Sequence, residues 1–115
     1  MYGLIVKGSF SAAHMLPGHP TCGVLHGHTW KVEVKVNGGL NLQNGMLVDF
    51  ADIKKLWRQF DHTYLNDFFD MPTAENIASY IFEKLVSIVG DIPGNNIYVE
   101  YVRVWESDDA CCEVS

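Results

Sequence analysis

The densest chemistry in this 115-residue chain lies between His14 and His28, a stretch that also holds His19, Cys22 and His26. Residues i and i+2 of an extended chain point to the same side, so His26 and His28 can aim both imidazoles at one point while Gly27 leaves the other side clear. That is metal-ligand geometry. A third neutral nitrogen from His14, at the end of a neighbouring strand, would give three histidine ligands on a divalent ion. Zinc is the first choice, and one tetrahedral position stays open, as in catalytic centres. Isolated histidines in small proteins are mostly surface or hydrogen-bonded core residues; the coincidence of His-Gly-His with His14 and Cys22 lifts the metal reading above that background. Cys22 has two readings. It is a fourth ligand that closes a structural centre, or a free thiol whose thiolate a nearby dication stabilises, a ready base or nucleophile. His19, between Gly18 and Pro20, reads as a solvent-facing loop residue.

Other candidates are weaker alone. Asp61 beside His62 can fix an imidazole tautomer and raise its basicity, but the pair equally suits a helix C-terminus. Glu106, after Trp105, reads locally as an exposed strand-end charge. Thr73 and Glu75 are accounted for as a helix cap and a first-turn acid.

These residues need elements to position them. Alternation from Tyr2 to Ala13 predicts a strand, and His14 to Leu25, with Pro17, Gly18, Pro20 and Gly23, a long loop. Trp30, Val32, Val34 and Val36 alternate with polar residues up to Gly38-Gly39, the clearest strand signal. Asp49 caps a helix with the stripe Ile53, Leu56, Trp57, Phe60. A second helix follows Pro72, with Ile77, Ile81, Leu85 and Ile88 inward and Gly90 at its end. After a turn at Pro93-Gly94-Asn95, a last strand places Ile97, Val99, Tyr101 and Trp105 on one face and Val102 and Glu106 on the other. The order predicts an α+β domain with helices on one face of an antiparallel sheet.

Composition sets the outer limits. At 48% hydrophobic and 19% charged, with ten Gly and four Pro, the chain reads as one soluble globular domain, not as a disordered, collagen-like or multi-domain chain. Fourteen acidic against eight basic residues give a net charge of -6, which supplies no basic face for nucleic acid. No leader or membrane-spanning pattern stands out, and three cysteines, two of them adjacent, do not make a disulfide framework; a reducing cytoplasm is expected. A domain this small has little area for a deep private pocket, so a site shared between subunits is expected.

Six segments in register resemble the 6-pyruvoyl-tetrahydropterin synthase family, most closely its 6-carboxy-5,6,7,8-tetrahydropterin synthase branch. They are Phe10 to His14, Cys22 with His26-Gly-His28, Gly45 to Phe50, Asp61-His62 with Leu65-Asn66, Pro72-Thr73 with Glu75-Asn76, and Trp105-Glu106. The resemblance implies a T-fold of four antiparallel strands with two helices on one face, sheets closing into a barrel on oligomerisation, and a homohexamer of two trimers. The core then spans about residues 2–106, and Gly45 to Phe50 supplies the strand that alternation missed. The polar tail 107–115 departs from the family's motifs: Cys111-Cys112 reads as part of a frayed end, with adventitious metal binding or oxidation as the alternative. By the same resemblance His14, His26 and His28 bind zinc, Cys22 is the catalytic base, Asp61 and His62 are its partners, and Glu106 holds the pterin. Thr73 and Glu75 join Glu106 as candidate substrate contacts.

The implied substrate is 7,8-dihydroneopterin triphosphate, and the products are 6-carboxy-5,6,7,8-tetrahydropterin, acetaldehyde and triphosphate, for 7-deazaguanine synthesis. Lys7, Lys31, Lys35 and Lys54 are candidate phosphate contacts. Two readings compete: the pyruvoyl enzyme, which stops after triphosphate elimination, and a structural-zinc or pterin-binding domain without catalysis. Three residues separate Cys22 from His26, where the pyruvoyl enzymes generally carry a longer insertion, and by that resemblance the carboxy branch is expected.

Overall fold

The alternating run Trp30 to Val36 becomes the spine of the fold because one of its faces has apolar partners on both sides. The computed structural model describes residues 1–41, 44–92 and 96–115. In chain order its elements are β1 (Tyr2–His14), β2 (His26–Gly38), α1 (Phe50–Arg58), β3 (Thr63–Tyr64), a 3-10 turn Leu65–Asp67, α2 (Ala74–Gly90), β4 (Tyr98–Ser107) and β5 (Ala110–Val114). The sheet order is β3-β1-β2-β4-β5, antiparallel except for the short parallel β3. β1 and β2 pair from Tyr2 opposite Gly38 to His14 opposite His26, which brings the two ends of the long loop together.

One face of the sheet is covered. Val6, Phe10, Trp30, Val32, Val34, Val102 and Val104 join Ile53 and Trp57 of α1 and Ile77, Ile81 and Leu85 of α2 in one buried cluster. Each such side chain contributes on the order of 1.5–3 kcal/mol by leaving water. The Asp49 carboxylate accepts the Ala51 N–H and starts α1, and the Thr73 hydroxyl accepts the Asn76 N–H and starts α2. Gly8 lets α1 approach β1: a Cβ there would stand 2.5 Å from the Trp57 indole nitrogen. Among the described residues no helix is long and apolar enough to cross a membrane.

Three expectations are corrected. Gly45 to Phe50 is not a strand. Leu47 and Val48 are buried in a connector whose backbone bonds are local, Asn41 N–H to the Met46 carbonyl at 2.7 Å and Gly45 N–H to the Asn41 carbonyl at 2.8 Å. The added strands are β3 and β5, so among the described residues the sheet has five strands, not four. The tail is not frayed: β4 turns at Asp108-Asp109 and returns as β5, with Cys111 opposite Trp105 and with Cys112 and Val114 against the core. The turn expected at Pro93-Gly94-Asn95 lies outside the described residues.

A further correction bears on the site. Lys35 pairs with Tyr101 but Val36 pairs with Val99, so Glu100 is an extra residue in β4. A bulge of one residue reverses which side chains face the core. Val99 therefore packs inward before the bulge, and Val102 and Val104 after it, while Tyr101 and Trp105 go to the open face. The Glu100 carboxylate is held by Asn37 Nδ2 at 3.0 Å and Lys35 Nζ at 2.9 Å. A second register shift falls at Glu106, between the pairs Trp105/Cys111 and Ser107/Ala110.

Candidate metal centre

His14 closes β1 and His26 opens β2 as direct partners, and His28 stands opposite Ala12, so the strict period of two puts all three imidazoles on the covered face beside Trp30. Their ring centroids are 4.5 Å (His14–His26), 4.8 Å (His26–His28) and 5.1 Å (His14–His28) apart. His14 is fully buried, and its Nδ1 lies 2.7 Å from the carbonyl of Pro72; His26 Nδ1 lies 2.6 Å from the carbonyl of Val24. A carbonyl only accepts, so both Nδ1 atoms carry the proton and both Nε2 atoms present bare lone pairs, the orientation that outer partners impose on metal-binding histidines.

The bulge at Glu100 delivers a fourth group. Glu106 Oε1 stands 3.2 Å from His28 Nε2 and 4.0 Å from His14 Nε2. One ligand atom from each of His14, His26, His28 and Glu106 lies within 4.8 Å of the others, a set that can hold a metal ion. Two observations fit that use. Among the described residues the Nε2 atoms of His14 and His28 are buried and make no hydrogen bond, the Glu106 carboxylate standing close to His28 without forming one, a costly arrangement unless something else occupies the lone pairs. Burial also lowers the His28 pKa; Glu106 pulls it upward, and His14 and His26 push it further down. The neutral form that burial favours is the form that binds metal.

The remaining candidates are distributed around this centre. Cys22 is a half-buried free thiol in the loop between β1 and β2, outside the converging set, so the centre of three imidazoles and one thiolate is not assembled. Its carbonyl accepts the Leu16 N–H at 2.7 Å. Asp61 Oδ1 accepts the Ser11 N–H at 2.8 Å, and Oδ2 lies 3.5 Å from His62 Nε2. His62 adopts a left-handed backbone, φ 58°, pinned by its N–H to the Ser11 carbonyl at 2.6 Å. Asp61 and His62 make no hydrogen bond with Cys22 within the chain.

Two separate depressions border the His28–Glu106 pair, one including Glu106 and the other His28. A cleft of about 200 Å³ is lined by Ala74, Glu75, Glu106, Ser107, Cys111 and Cys112, which brings Glu75 to the same wall as Glu106. Thr73 is spent on the helix cap. A broad surface depression on the other side includes His28, Thr29, His62 and Thr63. Lys7, Lys31 and Lys35 are paired with Glu33 (3.5 Å), Asp108 (2.7 Å) and Glu100 (2.9 Å). Sequence reasoning missed the approach of Glu106 to the histidines because alternation from Ile97 sent it outward; the signal was polar Glu100 inside an otherwise half-apolar run.

The chain matches the family model described as 6-pyruvoyl tetrahydropterin synthase over residues 4–115. An Archaeoglobus fulgidus relative with the provisional name 6-carboxy-5,6,7,8-tetrahydropterin synthase is 42% identical over 95% of this chain and 91% of its own length. A Pyrococcus furiosus relative named dihydroneopterin monophosphate aldolase is 34% identical over 92% of this chain and 90% of its own. The solved 6-pyruvoyl tetrahydropterin synthase of Caenorhabditis elegans superposes with a TM-score of 0.76 at 27% identity, covering 99% of this chain and 94% of that one. With a match that runs through β5 and a fold shared along its whole length, the chain belongs to the 6-pyruvoyl tetrahydropterin synthase family, a family of pterin lyases.

Proposed function

We propose that the protein is a zinc-dependent lyase that converts 7,8-dihydroneopterin triphosphate into 6-carboxy-5,6,7,8-tetrahydropterin, with release of acetaldehyde and triphosphate, for 7-deazaguanine synthesis. The observation that carries the reading is the convergence of three imidazoles, two of them with buried and unpartnered Nε2 atoms, beside a carboxylate-walled cleft. His14, His26 and His28 would hold the ion, whose imidazole set suits zinc; when bound it supplies Lewis-acid chemistry that acidifies substrate hydroxyls.

The chain's own groups divide the rest of the work. The pterin amino group and ring N–H are parallel donors, and the Glu106 carboxylate accepts them as a fork at the cleft wall it shares with Glu75. Thr73 contributes by fixing the start of α2, which carries Glu75. Cys22 takes a proton from the substrate side chain as base. His62 returns or accepts one, with Asp61 Oδ1 fixed by Ser11 so that Oδ2 faces the imidazole. Because Cys22 and His62 do not meet within one chain, the proton-transfer set is completed between subunits of a homohexamer; light scattering that shows a monomer at working concentration would remove that part.

The test is mass spectrometry of products from the zinc-loaded protein, incubated separately with dihydroneopterin triphosphate and monophosphate. The expected result is 6-carboxy-tetrahydropterin and trapped acetaldehyde from the triphosphate. A stable 6-pyruvoyl product without acetaldehyde moves the protein to the pyruvoyl activity. Turnover of the monophosphate alone moves it to the aldolase activity named for the Pyrococcus relative. Cys22→Ala separates enzyme from structural centre: the enzyme keeps zinc and loses turnover by several orders of magnitude, whereas a structural centre loses zinc.

A further inference from the structure

We propose that His19 is the positioning residue of the reactive thiol: its imidazole ties the backbone on either side of Thr21 and so sets where the Cys22 side chain leaves the loop. The proposal rests on the reading of Cys22 as the proton-transfer group. His19 Nδ1 stands 2.9 Å from the Cys22 amide nitrogen, 3.2 Å from the Thr21 amide nitrogen and 3.3 Å from Thr21 Oγ1. Backbone N–H groups only donate, so Nδ1 is the acceptor and the ring proton sits on Nε2. Pro20 has no N–H. The two amides after it therefore both turn to one side-chain atom.

The rest of the loop is built around that tie. Leu16 is the hub: its N–H donates to the Cys22 carbonyl at 2.7 Å and its carbonyl accepts the His19 N–H at 3.0 Å. A Cβ at Gly23 would stand 2.6 Å from the His19 carbonyl oxygen, so the chain after Cys22 passes directly against the residue that holds it. Cys22 is thus bonded through its N–H to His19 and through its carbonyl to Leu16, while its Sγ makes one long contact with the loop, 3.8 Å to the Thr21 hydroxyl that His19 also touches. His19 is exposed and lies outside the converging metal-binding set, so its role runs through Cys22 and not through the ion. A side-chain acceptor serving amides two and three residues on is the device that Asn and Asp use in turns.

The experiment compares His19→Ala, His19→Asn and His19→Gln in the full-length, zinc-loaded protein. Asn places its oxygen where Nδ1 stands; Gln places it one bond too far. Zinc content, kcat and KM, the iodoacetamide rate at Cys22 resolved by peptide mass spectrometry, and exchange of the Cys22 amide are measured together. Displacing a reacting group by about an ångström costs on the order of a hundredfold in rate. His19→Ala and His19→Gln should therefore keep zinc and KM, lose about 10- to 100-fold in kcat, change the alkylation rate at Cys22 and exchange its amide faster, with His19→Asn restoring all three. Wild-type kcat and alkylation in His19→Ala, or His19→Asn as impaired as His19→Gln, overturns the proposal. Should His19→Ala not fold, the Asn and Gln pair decides alone. Full turnover by Cys22→Ala sinks the catalytic reading of the thiol; alkylation and amide exchange then still decide whether His19 holds the loop.

Discussion

Opposite faces of one sheet carry two polar clusters built on different rules. On the open face Glu33 accepts from the Tyr101 hydroxyl at 2.6 Å and from Arg103 Nη1 at 3.0 Å, with Lys7 at 3.5 Å; Arg103 Nε turns to Glu113 at 2.7 Å and its guanidinium lies 3.9 Å over the Tyr101 ring. Each acid there has its cations. On the covered face three imidazoles crowd together with two Nε2 atoms unmatched and one carboxylate beside them. A matched cluster is complete as it stands and serves the fold, whereas buried lone pairs without a donor cost stability and need a ligand to offset that cost.

The covered face should give the largest effect. His28→Ala should empty the metal site and lower turnover by more than about a thousandfold, since three protein ligands become two. Zinc analysis of the purified variant checks it, and full retention would remove the metal reading altogether.

Acid should then separate the two clusters in order. Burial holds His28 below the ordinary imidazole range, with His14 and His26 adding to the effect and Glu106 opposing it. A lowered folded value means that stability and metal affinity are present above about pH 6.5 and are lost as pH falls from there toward the lowered value. The Tyr101 hydrogen bond is the main cause that holds Glu33 low; burial opposes it, and Lys7 and Arg103 support it. Its contribution is present above about pH 4.3 and lost as pH falls further. A titration followed by a zinc-sensitive dye and by tryptophan fluorescence should show metal release before the fold loosens; simultaneous loss would mean that the clusters are not independent.

The scaffold between the clusters gives the third test. Gly8→Ala drives a methyl into the Trp57 indole and should cost about 1–3 kcal/mol by denaturant melts, with zinc stoichiometry kept. Loss of zinc there would tie the helix packing to the site. The smallest effect belongs to the open face: Tyr101→Phe should cost about 0.5–1.5 kcal/mol and leave zinc content unchanged, because Glu33 keeps its cations.

Local rules made much of the site legible. The period of two in an extended chain placed His26 and His28 on one side, and Asp49 and Thr73 marked the helix starts that the structure shows. Two omissions had definite causes. β5 was missed because Cys112 and Val114 are a short alternation that only the β4 edge turns into a strand. His19 is the exposed loop residue its flanking Gly18 and Pro20 imply, but the contacts of its ring with the Thr21 and Cys22 amides were not legible, because an exposed loop histidine gives no sign in sequence of which way its ring turns.

The sequence by itself therefore determined the features that bonded geometry over a few residues dictates: the paired histidines, the caps, the apolar stripes. Only the tertiary structure decided which face Glu106 takes and which tautomer His14 adopts. The Glu100 bulge exists only as a mismatch between β4 and β2, and the carbonyl that orients His14 belongs to Pro72, 58 residues away. Strand parity and proton placement are properties of a pairing, and a pairing is settled only when both partners are packed on the same core.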